Sequence, residues 1–330
     1  MNLYFLCGIN VNLKVMRKFN LKINTPTHAN LARFLQEEGW KPSKFSALAS
    51  VNEKWLQFST LVSNTLEYKH LLASFLQANH LGYLMPETFY IDDQIWPIVL
   101  DDITHSPYAH LPWILKPSML NNGQHIHIFH DLNSIESHFL SHQRMGGPQV
   151  LQRYIVKPQL IQGPELGHKF SIRVLLVVST HIGSALFPSG YLNIALKPYQ
   201  ENNFNQLEAH LTNEHLSDER MNVVQRLSDE IVIFQQYKME IISTCQLLLK
   251  ALKQQFVPVW QDKQPRIACF GVDFMVEAKG NKLWLLEANH GPCFPVDDSH
   301  PLFNSLYRPF WQQLIKRFID LEPSIFISLD

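Results

Sequence analysis

Two apolar runs near the C-terminal end of the chain carry polar side chains at a few fixed places. Phe270-Gly-Val-Asp-Phe-Met-Val-Glu277 and Lys282-Leu-Trp-Leu-Leu-Glu-Ala-Asn289 each have the pattern of a buried strand. Ala278-Lys-Gly-Asn281 between them has the composition of a hairpin turn. Folding about Lys279-Gly280 places Asp273 roughly opposite Leu286 and Glu287. Glu287 and Asn289 are two apart and share a strand face. Three oxygen-bearing side chains are thus predicted to converge in an otherwise hydrophobic hairpin.

The rest of the pattern predicts a mixed succession of strands and helices. Lys18-Phe-Asn-Leu-Lys-Ile23 alternates as a half-buried strand does, and Thr27 is suited to cap a helix over His28–Glu38 that Gly39 ends. Glu67–Asn79 reads as helix, and Gly82–Asp93 as a turn followed by a short strand. Leu111–Pro117 and His125–Phe129 read as strands around the loop Ser118–Gly123, and Asp131–Ser141 as a helix. Gln152-Arg-Tyr-Ile155 ends a strand beginning at Val150, and Lys169–Val178 forms another, expected to be central. Ser217 is predicted to open a long helical region reaching Phe256, on apolar positions Val223, Val224, Leu227, Ile231 and Phe234. A last helix is predicted over Asn304–Leu321.

Composition narrows the class. The 330 residues suffice for two or three domains, and 46% hydrophobic with 17% charged is a globular balance. A net charge of −1 supplies no global field toward nucleic acid or an anionic membrane. Cys7, Cys245, Cys269 and Cys293 include no Cys-x-x-Cys pair, which fits a reducing compartment. The charge order of the N-terminus is wrong for a secretory signal, and the longest apolar run, around Val174–Val178, is far below spanning length. The expectation is a cytoplasmic monomer with no membrane or nucleic-acid partner.

The chemistry lies in the interruptions. Two adjacent buried carboxylates repel unless a cation neutralises them, and hard oxygen donors without His or Cys favour Mg²⁺ over Asp273, Glu287 and Asn289. Lys116 ends an apolar strand, where it either reaches solvent or meets a phosphate. The loop after it has the form of a β-loop-β flap that can close over phosphates through backbone N–H groups. There is no Gly-x-x-x-x-Gly-Lys-Ser/Thr loop. Lys169 and Arg173, four apart on one strand face, call for an anion such as a triphosphate. His125, His127 and His130 have loose metal spacing and no Cys or carboxylate partner, so ordinary strand histidines are expected.

The order of a strand-ending lysine, Gln-Arg-Tyr-Ile, Lys-Phe-x-Ile-Arg, His-Leu-Thr-Asn, Phe-Gly-x-Asp-Phe and Leu-Glu-x-Asn resembles the tubulin–tyrosine ligase and tubulin–tyrosine ligase-like family from about Lys18 to Phe318. The resemblance implies an ATP-grasp fold of class α/β (α+β), with mixed and antiparallel sheets flanked by helices. It implies a dispensable extension over 1–17, a small α/β domain over 18–65, a central subdomain with the flap over 66–148, and a C-terminal subdomain with the metal site over 149–330. Lys69 and Lys116 would contact the phosphates of ATP, and Gln152, Arg153, Tyr154 and Ile155 would border the adenine. Lys169 would reach the nucleotide and Arg173 the transferring phosphate, with Thr212 and Asn213 alongside; Asp273, Glu287 and Asn289 would hold Mg²⁺. Arg173 and Lys116 are the implied catalytic residues.

The implied activity is ATP-dependent ligation of a free amino acid to a carboxylate of a protein acceptor, tubulin or another protein, through an acylphosphate. The alternatives are a ligase with a non-tubulin acceptor, and a nucleotide-binding module that has lost chemistry. Three departures bear on them. Asn122-Gly123-Gln124-His125-Ile126 lacks the family's basic residue and second glycine, and Ser171 stands where the family has Asp. Aligned on Gly190, Asn193 replaces the family's arginine and Lys197 its glutamate.

Overall fold

The computed structural model describes residues 16–330 apart from 121–122, 163–164, 217–220, 263, 293 and 296–298. The extension over residues 1–15, Asn122 of the flap and the expected helix start at Ser217 lie outside the described residues.

Strands β1 (Lys18–Asn20), β2 (Lys41–Pro42) and β3 (Val51–Asn52) form a small parallel sheet in the order β2-β1-β3. The helix Pro26–Glu37 follows β1, and its cap is Thr25, whose side chain accepts from the His28 N–H. Thr27 is inside the first turn, and its hydroxyl donates to the Pro292 carbonyl at 2.5 Å. The cap therefore lies two residues earlier than expected, because Pro26 fits the first helical position.

Four antiparallel strands make the second sheet: β4 (Thr88–Ile91), β5 (Trp113–Pro117), β6 (His127–Phe129) and β7 (Gln149–Arg153), ordered β4-β7-β5-β6. The third sheet contains β8 (His168–Ser179), β9 (Ala185–Pro198), β10 (Val223–Leu227), β11 (Ile267–Glu277) and β12 (Lys282–His290), ordered β10-β9-β8-β11-β12, with β13 (Ile327–Ser328) on β9. Its pairings are antiparallel, and β8 is central as expected. The fold is mixed α/β, with antiparallel sheets flanked by helices.

Period-two alternation sorts β8 between two layers. Phe170, Ile172, Val174 and Leu176 join a core with Phe234, Ile241, Cys245 and Leu248 of the helix Val232–Gln255. Leu175 and Val177 point the other way, into a core with Leu31, Phe310 and Trp311. Burying one such large side chain is worth about 1.5–3 kcal/mol. Lys169, Ser171 and Arg173 share the second face but lie beyond the cover of that core, so their side chains border a cleft. The sheet is thus dry behind these residues and open in front of them.

The segment Val223–Leu227 is a strand, which corrects the helix expected there. Its apolar spacing suits either structure, and pairing with β9 from Ala195 to Tyr191 decides for the strand. The helix begins only at Val232. Near the C-terminus, a π-helical turn over Phe303–Tyr307 precedes the helix Arg308–Phe318.

One glycine is dictated by close approach. A Cβ on Gly190 would lie 2.1 Å from the Arg173 carbonyl oxygen, on rigid backbone. Gly190→Ala is therefore expected to prise β9 from β8 and to destabilise the protein by about 1–3 kcal/mol or more. Thermal unfolding of the variant checks this, and an unchanged midpoint contradicts it.

Candidate active site

The site forms where the second and third sheets face each other. β8 contributes Lys169, Ser171 and Arg173; β9 contributes Asn193; β11 and β12 contribute Asp273, Glu287 and Asn289; β5 and β7 contribute Lys116 and Gln152. Lys69, the first residue of the helix Lys69–Ala78, reaches in from the side. Arg153, Tyr154, Ile155, Thr212 and Asn213 complete the set expected from the sequence, and all of these residues line one cleft. The cleft holds about 1330 Å³ of space open to solvent at its mouth.

A bulge sets the acidic part. Asp273 pairs directly with Glu287, but Phe274 pairs with Leu285, so Leu286 is an extra residue on β12. Leu283 and Leu285 face the core, and strict alternation would have sent Glu287 after them. The inserted residue reverses the parity, so Ala288 enters the core while Glu287 and Asn289 turn to the cleft. The Asn289 amide then donates to Glu287 at 3.1 Å and to Asp273 at 3.4 Å. Among the described residues no three His, Cys, Asp or Glu groups cluster, so the pair of carboxylates is joined by an amide rather than by a third acid.

Cations surround this pair. Arg173 grips Asp273 in a fork, Nε to Oδ1 at 2.7 Å and Nη2 to Oδ2 at 2.5 Å, and donates to the Tyr191 hydroxyl at 3.4 Å. Gly271 leaves room for it, since a Cβ there would sit 3.1 Å from Arg173 Cδ. Lys69 Nζ lies 3.3 Å from Glu287 and donates to the Leu120 carbonyl at 3.0 Å. Burial alone would raise the Glu287 carboxyl, but Lys69, Lys116 and Arg173 hold it below the ordinary carboxylate range. Burial pushes Asp273 up to about 6 in spite of Arg173, with Glu287 adding to the rise.

Among the described residues, the two strand lysines form no ion pair with a carboxylate. Lys116 donates to Gln152 Oε1 at 2.8 Å, and Gln152 donates in turn to Thr88 at 2.8 Å. Burial lowers Lys116 to about 8, with Lys69 opposing its charge and Glu287 and Asp273 favouring it. Burial, assisted by Lys116, lowers Lys169 to about 7. Such lysines are poised to gain a proton when an anion arrives.

The other expected residues differ in what they offer. Arg153 pairs in a fork with Glu277 at 3.0 and 3.1 Å, between the rings of Tyr108 and Trp284, so its guanidinium ties the two sheets together. Asn193 is buried and accepts from Gln225 at 2.9 Å. Lys197 is exposed and stands outside the cleft lining, so no cation replaces the family's arginine from that position. His127 packs against His138, at 4.7 Å between ring centres, rather than into the cleft. Sequence reasoning assigned no role to His210 and Tyr191, which border or brace the site. His210 was visible only as part of His-Leu-Thr-Asn, and Tyr191 only as the residue after Gly190.

Tubulin polyglutamylase TTLL6 of Mus musculus is 24% identical over 299 residues, covering 76% of this chain and 35% of that protein. Tubulin polyglutamylase TTLL13 of Mus musculus is 23% identical over 347 residues, covering 87% of this chain and 41% of that protein. Tubulin glycylase 3E of Tetrahymena thermophila is 25% identical over 198 residues, covering 55% and 14%. The chain spans less than half the length of these relatives. The profile of the tubulin-tyrosine ligase family matches residues 58–325, and with most of its length inside that match the chain belongs to this family.

Proposed function

We propose that the chain is an ATP- and Mg²⁺-dependent ligase that joins the amine of an amino acid to a carboxylate of an acceptor protein through an acylphosphate. The observation that carries this reading is the ring of Lys69, Lys116, Lys169 and Arg173 around the Asp273–Glu287 pair. Glu67 and Glu214 also line the cleft, but among the described residues Lys116 and Lys169 are hydrogen-bonded to an amide and a phenol rather than to a carboxylate, and a triphosphate supplies the negative charge they lack.

The donor set fits a hard divalent cation: one buried carboxylate, one half-buried carboxylate and one side-chain amide, with neither sulfur nor imidazole. Asp273, Glu287 and the oxygen of Asn289 would hold it, the amide turning its oxygen inward. When bound, Mg²⁺ offsets phosphate charge. Lys69 and Lys116 would hold the phosphates in place, and Arg173 would reach the group in transit. Tyr154 and Ile155 exclude water behind the base. Catalysis on this reading is positioning and electrostatics, with no nucleophilic side chain from the protein.

The relatives' names point to a protein acceptor, and tubulin is the first to test. The test supplies Mg-ATP and labelled amino acids to the protein in a eukaryotic lysate. A labelled protein band supports the ligase, and its identity names the acceptor. ATP binding with no label in any protein for any amino acid overturns the ligase in favour of a binding module.

The lysines also give a pH dependence. Lys169 at about 7 and Lys116 at about 8 have lowered proton affinity in the free protein. A bound triphosphate favours their charged forms, so binding takes up protons at pH 8. Affinity is highest below about 7 and declines as pH rises through both values. Calorimetry with ATP in EDTA, in buffers of differing ionisation enthalpy, is expected to show uptake of about one to two protons at pH 8 and far less at pH 6.5. Affinity independent of pH between 6.5 and 9 contradicts this.

A further inference from the structure

A buried chain of hydrogen bonds runs from the cleft to a loop beyond β9. Lys169 Nζ donates to the Tyr154 hydroxyl at 2.9 Å. That hydroxyl lies 2.8 Å from His210 Nδ1, and His210 Nε2 lies 2.9 Å from the Asn203 carbonyl oxygen. Lys169, Tyr154 and His210 are 3%, 2% and 1% exposed, so water does not compete along the chain.

The carbonyl at the far end fixes the direction of every bond. A carbonyl only accepts, so His210 Nε2 must carry a proton. Burial, reinforced by the charge of Lys169, lowers His210 to about 4, so the ring is neutral and Nδ1 is a bare acceptor. The Tyr154 O–H therefore points at His210, and burial keeps that phenol protonated. Only the oxygen lone pairs of Tyr154 are left for Lys169, and they receive its ammonium.

We propose that His210 is a positioning residue which, acting through Tyr154, holds the Lys169 ammonium in place for the anionic substrate. The Asn203 carbonyl sets the His210 tautomer, His210 sets the Tyr154 rotor, and Tyr154 offers Lys169 an acceptor instead of a competing donor. The ring of Tyr154 adds to this, lying 4.4 Å from Lys169 Nζ. Other groups facing the lysine are Lys116 of β5, which opposes its charge, and Tyr199, whose hydroxyl donates to the Val156 carbonyl at 2.6 Å. Glu201 acts on Tyr199 from the same loop. None of these supplies the buried acceptor that Tyr154 does. The role in binding rests on the proposed nucleotide reading, whereas the effect on Lys169 itself does not.

The test therefore reads Lys169 in the nucleotide-free protein. Its ammonium is followed by the ¹³Cε resonance of labelled lysine, assigned through Lys169→Met. The wild-type midpoint is expected near 7. In His210→Leu the Tyr154 hydroxyl loses its acceptor and is free to donate to a neutral lysine, so the midpoint falls by about one unit. His210→Asn places an amide oxygen near the position of Nδ1 and restores it. Tyr154→Phe lowers the midpoint without depending on His210, and adding His210→Leu to it produces no further fall. A midpoint unmoved in His210→Leu overturns the proposal, as does a shift in His210→Leu that His210→Asn leaves uncorrected. ATP affinity at pH 7.5 is then expected to fall about tenfold in His210→Leu, the equivalent of that one-unit shift. If the wild-type protein binds no ATP, the nucleotide reading fails, and the Lys169 titration still decides the role of His210.

Discussion

Replacing Glu287 by glutamine is expected to lower ATP-dependent amino-acid transfer by about 1000-fold while leaving the protein folded. The shape of the side chain is kept and one negative charge is removed. That charge faces Lys69 at 3.3 Å and helps to hold Lys116 and Arg173 charged. The cleft becomes more positive, so metal-free ATP is expected to bind at least as tightly as before. What is lost is one of the two anionic oxygen groups proposed to hold Mg²⁺, so added Mg²⁺ no longer promotes turnover. Transfer assays with labelled amino acid, set beside calorimetry with and without Mg²⁺, separate these effects. Full turnover in the variant would remove Glu287 from its proposed role.

Arg173→Met is expected to be the most destabilising substitution in the site, by about 3–5 kcal/mol at pH 8, because it strands Asp273 without its forked partner. Methionine fills much of the arginine stem's volume, so the loss is mainly electrostatic. The sign of its pH dependence follows from Asp273. Burial already holds that carboxyl at about 6, above its ordinary value, and losing the guanidinium raises it further. A raised carboxyl favours the folded state while it is protonated, and that contribution disappears as pH rises through the folded-state value. The variant should therefore recover relative to wild type as pH falls from 8 to 5, with a slope approaching about 1.4 kcal/mol per unit. Urea unfolding of both proteins at the two pH values measures this. A stability difference that stays constant would mean that Asp273 is not the stranded group.

Much of the site was legible in the sequence because buried strands advertise their polar exceptions. Asp273, Glu287 and Asn289 stand out within apolar runs, and Lys169 and Arg173 share a face by simple count. What did not show was how each charge is balanced. Arg173 was expected to await an anion, yet in the fold it grips Asp273, a hundred positions away. Arg153 was placed beside the nucleotide, and its side chain serves the junction with Glu277. Val223–Leu227 was expected to be helical because its apolar spacing is ambiguous, and only the free edge of β9 resolves it.

The sequence by itself determined the hairpin, the order of the cation-bearing strands and the membership of the polar trio Asp273, Glu287 and Asn289, since these depend on local periodicity and turn chemistry. The tertiary structure alone decided that Leu286 bulges out and turns Glu287 from core to cleft. It also decided that His210 and Tyr154, far apart in the chain, become successive links to Lys169. The physical reason is common to both: the direction of a side chain and the polarity of a buried hydrogen bond are set by partners that only folding brings within reach.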